Sequence, residues 1–528
     1  MKKILIGFLI ATALLLVASF GLEAYFEKRI SEAINTNPDR AYDILFEDIS
    51  ISLFRRKASL KRIRLVSLKD SEAIKVSGSL QSIELSGVDF LDLIFNRRLS
   101  IYRLELVDPG FKLTRKDIQG RPEDNSKALQ DVFKDIISRG LIQNFELVNG
   151  TAEFFVEQDS LIRFAQFTDL NISANGIVSD SVIVQNPVPF QLESIQMSLK
   201  NLNVITDVNQ KFKLGELRFD SKTESILIKD ISLEYDNWEE TANSLVYQQD
   251  VIELTIQTLS LTYLNAKNNI SGDWQIAAGL AEFRGLSLDD YRDKNKPRPE
   301  EPEKPLFEGL VEKIPFPIEL DTIRILDSKL VYREFLPGKS TPGILSFENL
   351  SAEILNVIST DSLQGDSEMK ITANALFHGV AEIDLGIQVP YGKNSFSLQA
   401  GIKKFELSEI NKVLEQMANV RVETGELLSL QLQMEASRYT SSNQLNFQYE
   451  NLKLKILDEG KSVNKLKSSL ANIFTSKNNL ASDPNYKTAT YRSKRNIYRG
   501  PLNLVWLSTK DGLIQIVPGE VAQLFLDK

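Results

Sequence analysis

The chain has 528 residues, 42% of them hydrophobic and 25% charged, enough to bury a large core in two or more folded units. Its net charge of −9 excludes a global basic footprint for nucleic acid. With no cysteine there are no disulfides, thiol nucleophiles, Cys-ligated zinc, iron–sulfur clusters or acylated cysteine.

Lys2 and Lys3 precede an uncharged run from Ile4 to Leu22. As a helix rising ~1.5 Å per residue it spans roughly 28 Å, close to the ~30 Å hydrocarbon core of a bilayer. Its apolar side chains (Ile4, Leu5, Ile6, Phe8, Leu9, Ile10, Leu14, Leu15, Leu16, Val17, Phe20 and Leu22) predict a single-pass membrane anchor. The two lysines favour a cytoplasmic N-terminus and an exported body. Val17-Ala18-Ser19 offers a signal-cleavage alternative, but the run is longer than an ordinary signal core. Glu23 to Ile34 reads as a helical extension, and residues 1–35 form one segment with the anchor.

Beyond residue 36 the pattern has period two. Ser79 to Leu85, Ile252 to Ile256, Leu259 to Tyr263 and Gly425 to Met434 alternate apolar with polar. This predicts half-buried, mainly antiparallel strands. Apolar stripes at helical spacing occur over 128–139, 408–420 and 463–474, and read as docking faces. His378, the one histidine, follows an apolar pair in a run that reads as strand, and is assigned a structural or surface place. Any Ser-His-Asp site would have to rest on it.

Segment 294–305 holds four prolines among charges. It predicts an extended, exposed linker between a first β-rich part, 36–293, and a second, 306–480. The polar stretch 482–500 reads as loop within a closing segment, 481–528. Its Arg/Lys-rich part, Tyr491 to Arg499, reads as a solvated face.

A small unit repeats. Ile101 to Leu113, Ile142 to Phe154 and Leu320 to Tyr332 align, each with two alternating segments joined by Asp108-Pro109, Asn149-Gly150 or Asp327-Ser328. Such pairs favour turns or bulges. The inward positions Leu104, Leu106, Phe145, Leu147, Ile323 and Ile325 are predicted to share one apolar face. A second element, Phe46-Glu-Asp48, Phe167-Thr-Asp169 and Phe347-Glu-Asn349, opens further alternating runs.

In this order the pieces resemble the AsmA-like family of bacterial envelope proteins. The pieces are the anchor, Phe46 to Leu65, Ile101 to Pro109, Phe405 to Lys412, Gly425-Glu-Leu427, Phe447 to Leu452, and Arg495 to Tyr498 followed by Leu502 to Trp506. The resemblance implies an inner-membrane anchor and a periplasmic body. It also implies kinship with groove-shaped, chorein-type lipid-transfer proteins that act in outer-membrane homeostasis. It carries no catalytic motif.

The expectation is therefore a mainly β protein, in which an N-terminal transmembrane helix precedes an elongated, mostly antiparallel body with a few docked helices. Its role would be non-catalytic lipid handling in the envelope, with membrane lipids as partners and no cofactor, metal or nucleic acid. The same apolar faces would also suit a closed sandwich. A tethered scaffold binding other envelope proteins by strand addition is the alternative role. An enzyme is disfavoured, because no GxxxxGK[ST] or GxGxxG occurs and no carboxylate pair stands out.

Overall fold

The computed structural model describes residues 20–21, 23–25, 27–28, 42–67, 74–90, 92, 98–116, 140–157, 160–179, 191–207, 209–268, 274–300, 302–314, 317–360, 364–417, 419–457 and 477–517. The predicted anchor lies outside these residues except for Phe20 and Gly21, which are helical. No helix among the described residues is long and apolar enough to cross a membrane. The predicted helices over 128–139 and 463–474 also lie outside them. The described chain is mainly strand, mostly antiparallel, as its alternation predicts. It divides into two compact units, Met1–Lys229 and Asp230–Lys528.

In the first unit the strands are β1 (Tyr42–Leu45), β2 (Asp48–Ser52), β3 (Lys57–Ser67), β4 (Ile74–Ser86), β5 (Leu99–Val107), β6 (Gly110–Lys116), β7 (Gly140–Glu157), β8 (Leu161–Ser179), β9 (Ser194–Asp207) and β10 (Gln210–Asp220). β5 and β6 form one line broken at Asp108-Pro109. Both run antiparallel to β4 and parallel to β7. The sequence repeat is realised in this parallel pairing: Ile101 sits opposite Ile142, Leu104 opposite Phe145 and Leu113 opposite Phe154. Homologous positions of two copies therefore share a register, and so share a face.

Strand β11 (Ser225–Tyr235) crosses the division. The second unit holds β12 (Asp250–Asn268), β13 (Trp274–Asp293), β14 (Ile318–Phe335), β15 (Gly343–Ile358), β16 (Glu368–Phe377), β17 (Ala381–Pro390), β18 (Phe396–Ile402), β19 (Phe405–Glu406), β20 (Val420–Ala436), β21 (Thr440–Ile456) and β22 (Thr488–Lys494). Its pairings are antiparallel except β13 with β14, where the third repeat copy again lies parallel to its neighbour. Helices are α1 (Trp238–Ser244), α2 (Phe307–Val311), α3 (Asn411–Met417) and α4 (Pro501–Ile516).

Left-handed backbone marks the repeat joints. Asp108, Asn149 and Asp327 have φ of 49°, 58° and 51°, and in the second element Asp169 and Asn349 have 52° and 50°. Asp and Asn tolerate this region better than other non-glycine residues. Ladder register slips at Leu147/Gly150 in β7 and at Ile325/Ser328 in β14, so these joints are bulges inside long strands.

Three readings are set beside the structure. The compact division falls at Lys229/Asp230, and 294–305 lies inside the second unit. Prolines cannot donate to a ladder, but their neighbours are held: Gln248 N donates to Pro297 O at 2.9 Å, and Lys304 N donates to Ile497 O at 2.8 Å. Lys296 Nζ caps the open carbonyls of α1 at Ala242, Asn243 and Leu245. Second, the helical stripe over 408–420 is a 3-10 turn, Leu407–Ile410, followed by α3. Asn419 turns left-handed at φ 55°, and the β-branched Val420 and Val422 open β20. Third, part of the loop predicted over 482–500 is strand β22. Its inward residues, Ala489 and Ser493, are small and hide the alternation.

Candidate functional site

The strand register draws apolar rows across each unit. In the first unit one row runs Ile51, Ala58, Leu85, Leu104, Phe145, Ala174, Ile195. Its neighbour runs Ile49, Leu60, Ile83, Leu106, Leu147, Ile172, Met197, Phe219. Period two puts both rows on one face. All four predicted residues of this unit lie in them. Leu104 and Leu147 are buried, at 7% and 9% exposure, while Leu106 and Phe145 are half-buried. Most of the second row is half-buried.

The second unit repeats the arrangement over ten strands. One row runs Leu259, Phe283, Ile325, Ala352, Ala373, Leu385, Ala400, Leu432, Leu445, Ala489. Ile323 lies in the adjoining row, between Ala281 and Ile354. Burial changes along the first of these rows. From β12 to β18 its members are half-buried, while Leu432, Leu445 and Ala489 fall to 2% exposure or less.

Helix α4 accounts for the closed end. It packs on β21 and β22 and buries Leu504, Ser508, Gly512 and Ile516, a ridge with four-residue spacing. Gly512 permits the close approach, because a Cβ there would stand 2.5 Å from Tyr491 Oη and 2.6 Å from Leu445 Cδ2. Polar contacts fix the helix. The hydroxyls of Ser441 and Ser508 meet at 2.9 Å, Ser493 Oγ donates to Asp511 Oδ2 at 2.6 Å, and Tyr491 Oη donates to Ser508 O at 2.5 Å.

The opposite face of β14–β20 is polar. A shallow trough of about 790 Å³ crosses β14–β20, lined both by polar residues such as Arg324, Glu353, Asn374 and Gln433 and by Ile325, Ala352, Ala373, Leu385, Ala400 and Leu432 of the apolar row.

Titratable groups gather where β12 begins and β13 and β14 end. Asp250 chelates Arg292, Lys294 Nζ meets Glu334 Oε1 at 2.6 Å, and Tyr332 Oη donates to Glu334 Oε2 at 2.7 Å. Burial, reinforced by the neighbouring Asp250 and opposed by Arg292, pushes the Asp290 carboxyl up to about 7. Burial likewise raises the Tyr332 phenol. His378 stands on the turn after β16, not within a strand, with φ 51°. Burial holds its imidazole below the usual value, and its ring lies edge-on to Phe377 at 4.6 Å. Among the described residues no group of three His, Asp or Glu side chains is arranged to hold a metal.

No known family model matches the chain, and no curated protein matches it.

The residue sequence reasoning missed is Gly512, together with the helix it serves. Its signal was Pro501 at a helix start followed by an apolar stretch to Ile516.

Proposed function

We propose that this chain is a membrane-anchored, non-catalytic protein of the bacterial envelope that holds lipid acyl chains along its apolar sheet faces. What supports the reading most is the in-register apolar row of the second unit, half-buried from β12 to β18 and sealed only at β20–β22. At about 4.8 Å per strand, those seven strands offer roughly 29 Å of apolar track. That exceeds the ~15 Å that one leaflet contributes to a bilayer core. Each methylene transferred from water to such a track gains ~0.8 kcal/mol. The Ile4–Leu22 run and the ordered AsmA-like motifs supply the membrane and envelope parts of the proposal.

The test is site-specific photocrosslinking in full-length protein within cells. A photoreactive residue at Ala373, on the apolar row, is expected to capture phospholipid or glycolipid. The same residue at Gln399, on the polar face, is expected to capture none. Equal yields at both positions, or none at Ala373, reject the acyl-chain reading.

A further inference from the structure

Two carboxylates hold the edge of the first unit's sheet. Strand β2 forms its ladder with β3. On its other side two amides are bonded by side chains: Glu27 Oε1 accepts from Ile51 N at 3.0 Å, and Glu23 Oε1 accepts from Leu53 N at 2.8 Å. Residues 20–21, 23–25 and 27–28 are helical. Glu23 and Glu27 therefore stand one above the other, about 6 Å apart along the helix axis. Ile51 and Leu53 are about 6.6 Å apart along their strand. With matched spacing, helix and strand lie side by side and run in opposite directions.

This places the end of β2 at a definite level. Glu23 is the first charged residue after the Ile4–Leu22 run. A carboxylate is costly inside hydrocarbon, so with that run across a bilayer Glu23 stands at the surface. Glu27 is one turn further out, and β2 therefore points toward the membrane. Leu53 is level with Glu23, and Phe54 follows it on the turn into β3. Phe54 is 90% exposed, and Phe20, within the apolar run, is 68% exposed. The turn is pinned: Arg56 N donates to Leu53 O at 3.2 Å, Val88 N donates to Arg56 O at 3.0 Å, and the Arg56 guanidinium donates to Val88 O and Gly87 O at 3.1 and 3.3 Å. Arg55, Arg56 and Lys57 are exposed, but Glu23, Glu27 and Asp89 lie close by, so charge does not choose the occupant. The level does.

We infer that the β2–β3 turn is a second membrane contact, held at the bilayer surface by Glu23 and Glu27, with Phe54 seated among the upper acyl chains beside the anchor. The ring gains by leaving water. Arg55 and Lys57 can lay their stems along the apolar layer and bring their charges to phosphate. The contact rests on the anchor reading above and not on acyl chains lying along the sheet.

The chain has no cysteine, so a single introduced thiol can be labelled alone. Full-length protein carrying Phe54→Cys, or Val66→Cys as control, is labelled with a small fluorophore. It is then placed in phosphatidylcholine nanodiscs with and without lipid bearing a nitroxide on its upper acyl chain. Val66 is 44% exposed and lies near the far end of β3, about 30 Å from the turn. The label at 54 is expected to lose most of its emission to the nitroxide, and the label at 66 to keep its own. Adding Glu23→Ala and Glu27→Ala is expected to restore much of the emission at 54, with thermal unfolding little changed because the β2–β3 ladder remains. Equal quenching at 54 and 66 in protein retained by the nanodiscs overturns the inference and leaves the anchor standing; a turn in water or against a protein partner gives that result. Quenching at 54 that persists without the two carboxylates also overturns it, since the helix then does not set the level. Failure of the full-length protein to stay in the nanodiscs removes the anchor reading and this contact with it. Lipid capture at Ala373 is read independently of all three.

Discussion

Asn149 Nδ2 donates a 2.7 Å hydrogen bond to Asp108 Oδ1, and both residues hold left-handed backbone, Asn149 at the bulge in β7 and Asp108 at the break between β5 and β6 alongside it. The line continues sideways. Asn149 N donates to Asn171 Oδ1 at 3.0 Å, and Lys200 Nζ meets Asp169 Oδ2 at 3.0 Å. Side-chain contacts thus tie Asp108, Asn149 and Asn171 together across three strands, and Asp169 to Lys200 on the next.

The Asn149 side chain does two things there: it tolerates positive φ and it reaches Asp108. Asn149→Gly removes only the second and is expected to cost under about 1 kcal/mol. Asn149→Val removes both and is expected to cost about 2 kcal/mol or more, because a β-branched side chain is strained at positive φ. Urea denaturation of the two variants checks the order, and equal losses would mean that conformation is not the larger factor.

The strands and the repeat were legible because alternation and Asx-containing joints are local signals. The alignment of Ile101–Leu113 with Ile142–Phe154 even matched the spatial register, residue for residue. What could not be read was what covers the apolar faces. Leu385 and Leu445 carry the same local signal, yet Leu445 is sealed and Leu385 half-buried. The cover over Leu445 is α4, more than fifty residues further along the chain. The division at Lys229/Asp230 was also hidden, because it falls inside strand β11, whereas the proline-rich 294–305 is tied down by backbone carbonyls and Lys296.

That contrast makes a paired prediction. Leu432→Ala empties a site at 1% exposure and is expected to cost about 2–5 kcal/mol. Ile325→Ala, on the half-buried part of the same row, is expected to cost about 1–2 kcal/mol. Ala373→Asp is expected to change stability by less than about 1 kcal/mol, since a half-buried carboxylate there keeps contact with water. It is nevertheless expected to abolish lipid capture by a photoreactive residue at neighbouring Leu385. Unchanged capture would count against an acyl chain lying on this row.

Gly512 sets the distance between α4 and the sheet. Gly512→Leu would drive side-chain atoms into Tyr491 and Leu445, so α4 must lift or the sheet must shift. The expected cost is about 1–3 kcal/mol, as for other overpacked contacts. Hydrogen exchange locates it: the amides of α4 are expected to lose protection while those of β12–β15 keep theirs. Loss of protection throughout the second unit would show instead that α4 and the whole sheet open together.

Asp290 gives the second unit a pH dependence of definite sign. Its carboxyl is raised from 3.8 to about 7 by burial and by the Asp250 and Asp289 charges, with Arg292 opposing. The folded state therefore binds a proton that the unfolded state has released between those values. Its stabilising contribution is complete below about pH 4, and it is lost as pH rises through about 7. Solvent reaches the site, so the effect is expected to be about 1 kcal/mol and not the full value of the shift. Asp290→Asn keeps the shape and removes the ionisation. The variant is expected to match the wild type at pH 3.5 and to exceed it in unfolding midpoint at pH 8. A variant that is less stable than the wild type at pH 8 would mean that the Asp290 carboxylate is held by favourable charge, and the assigned direction would be wrong.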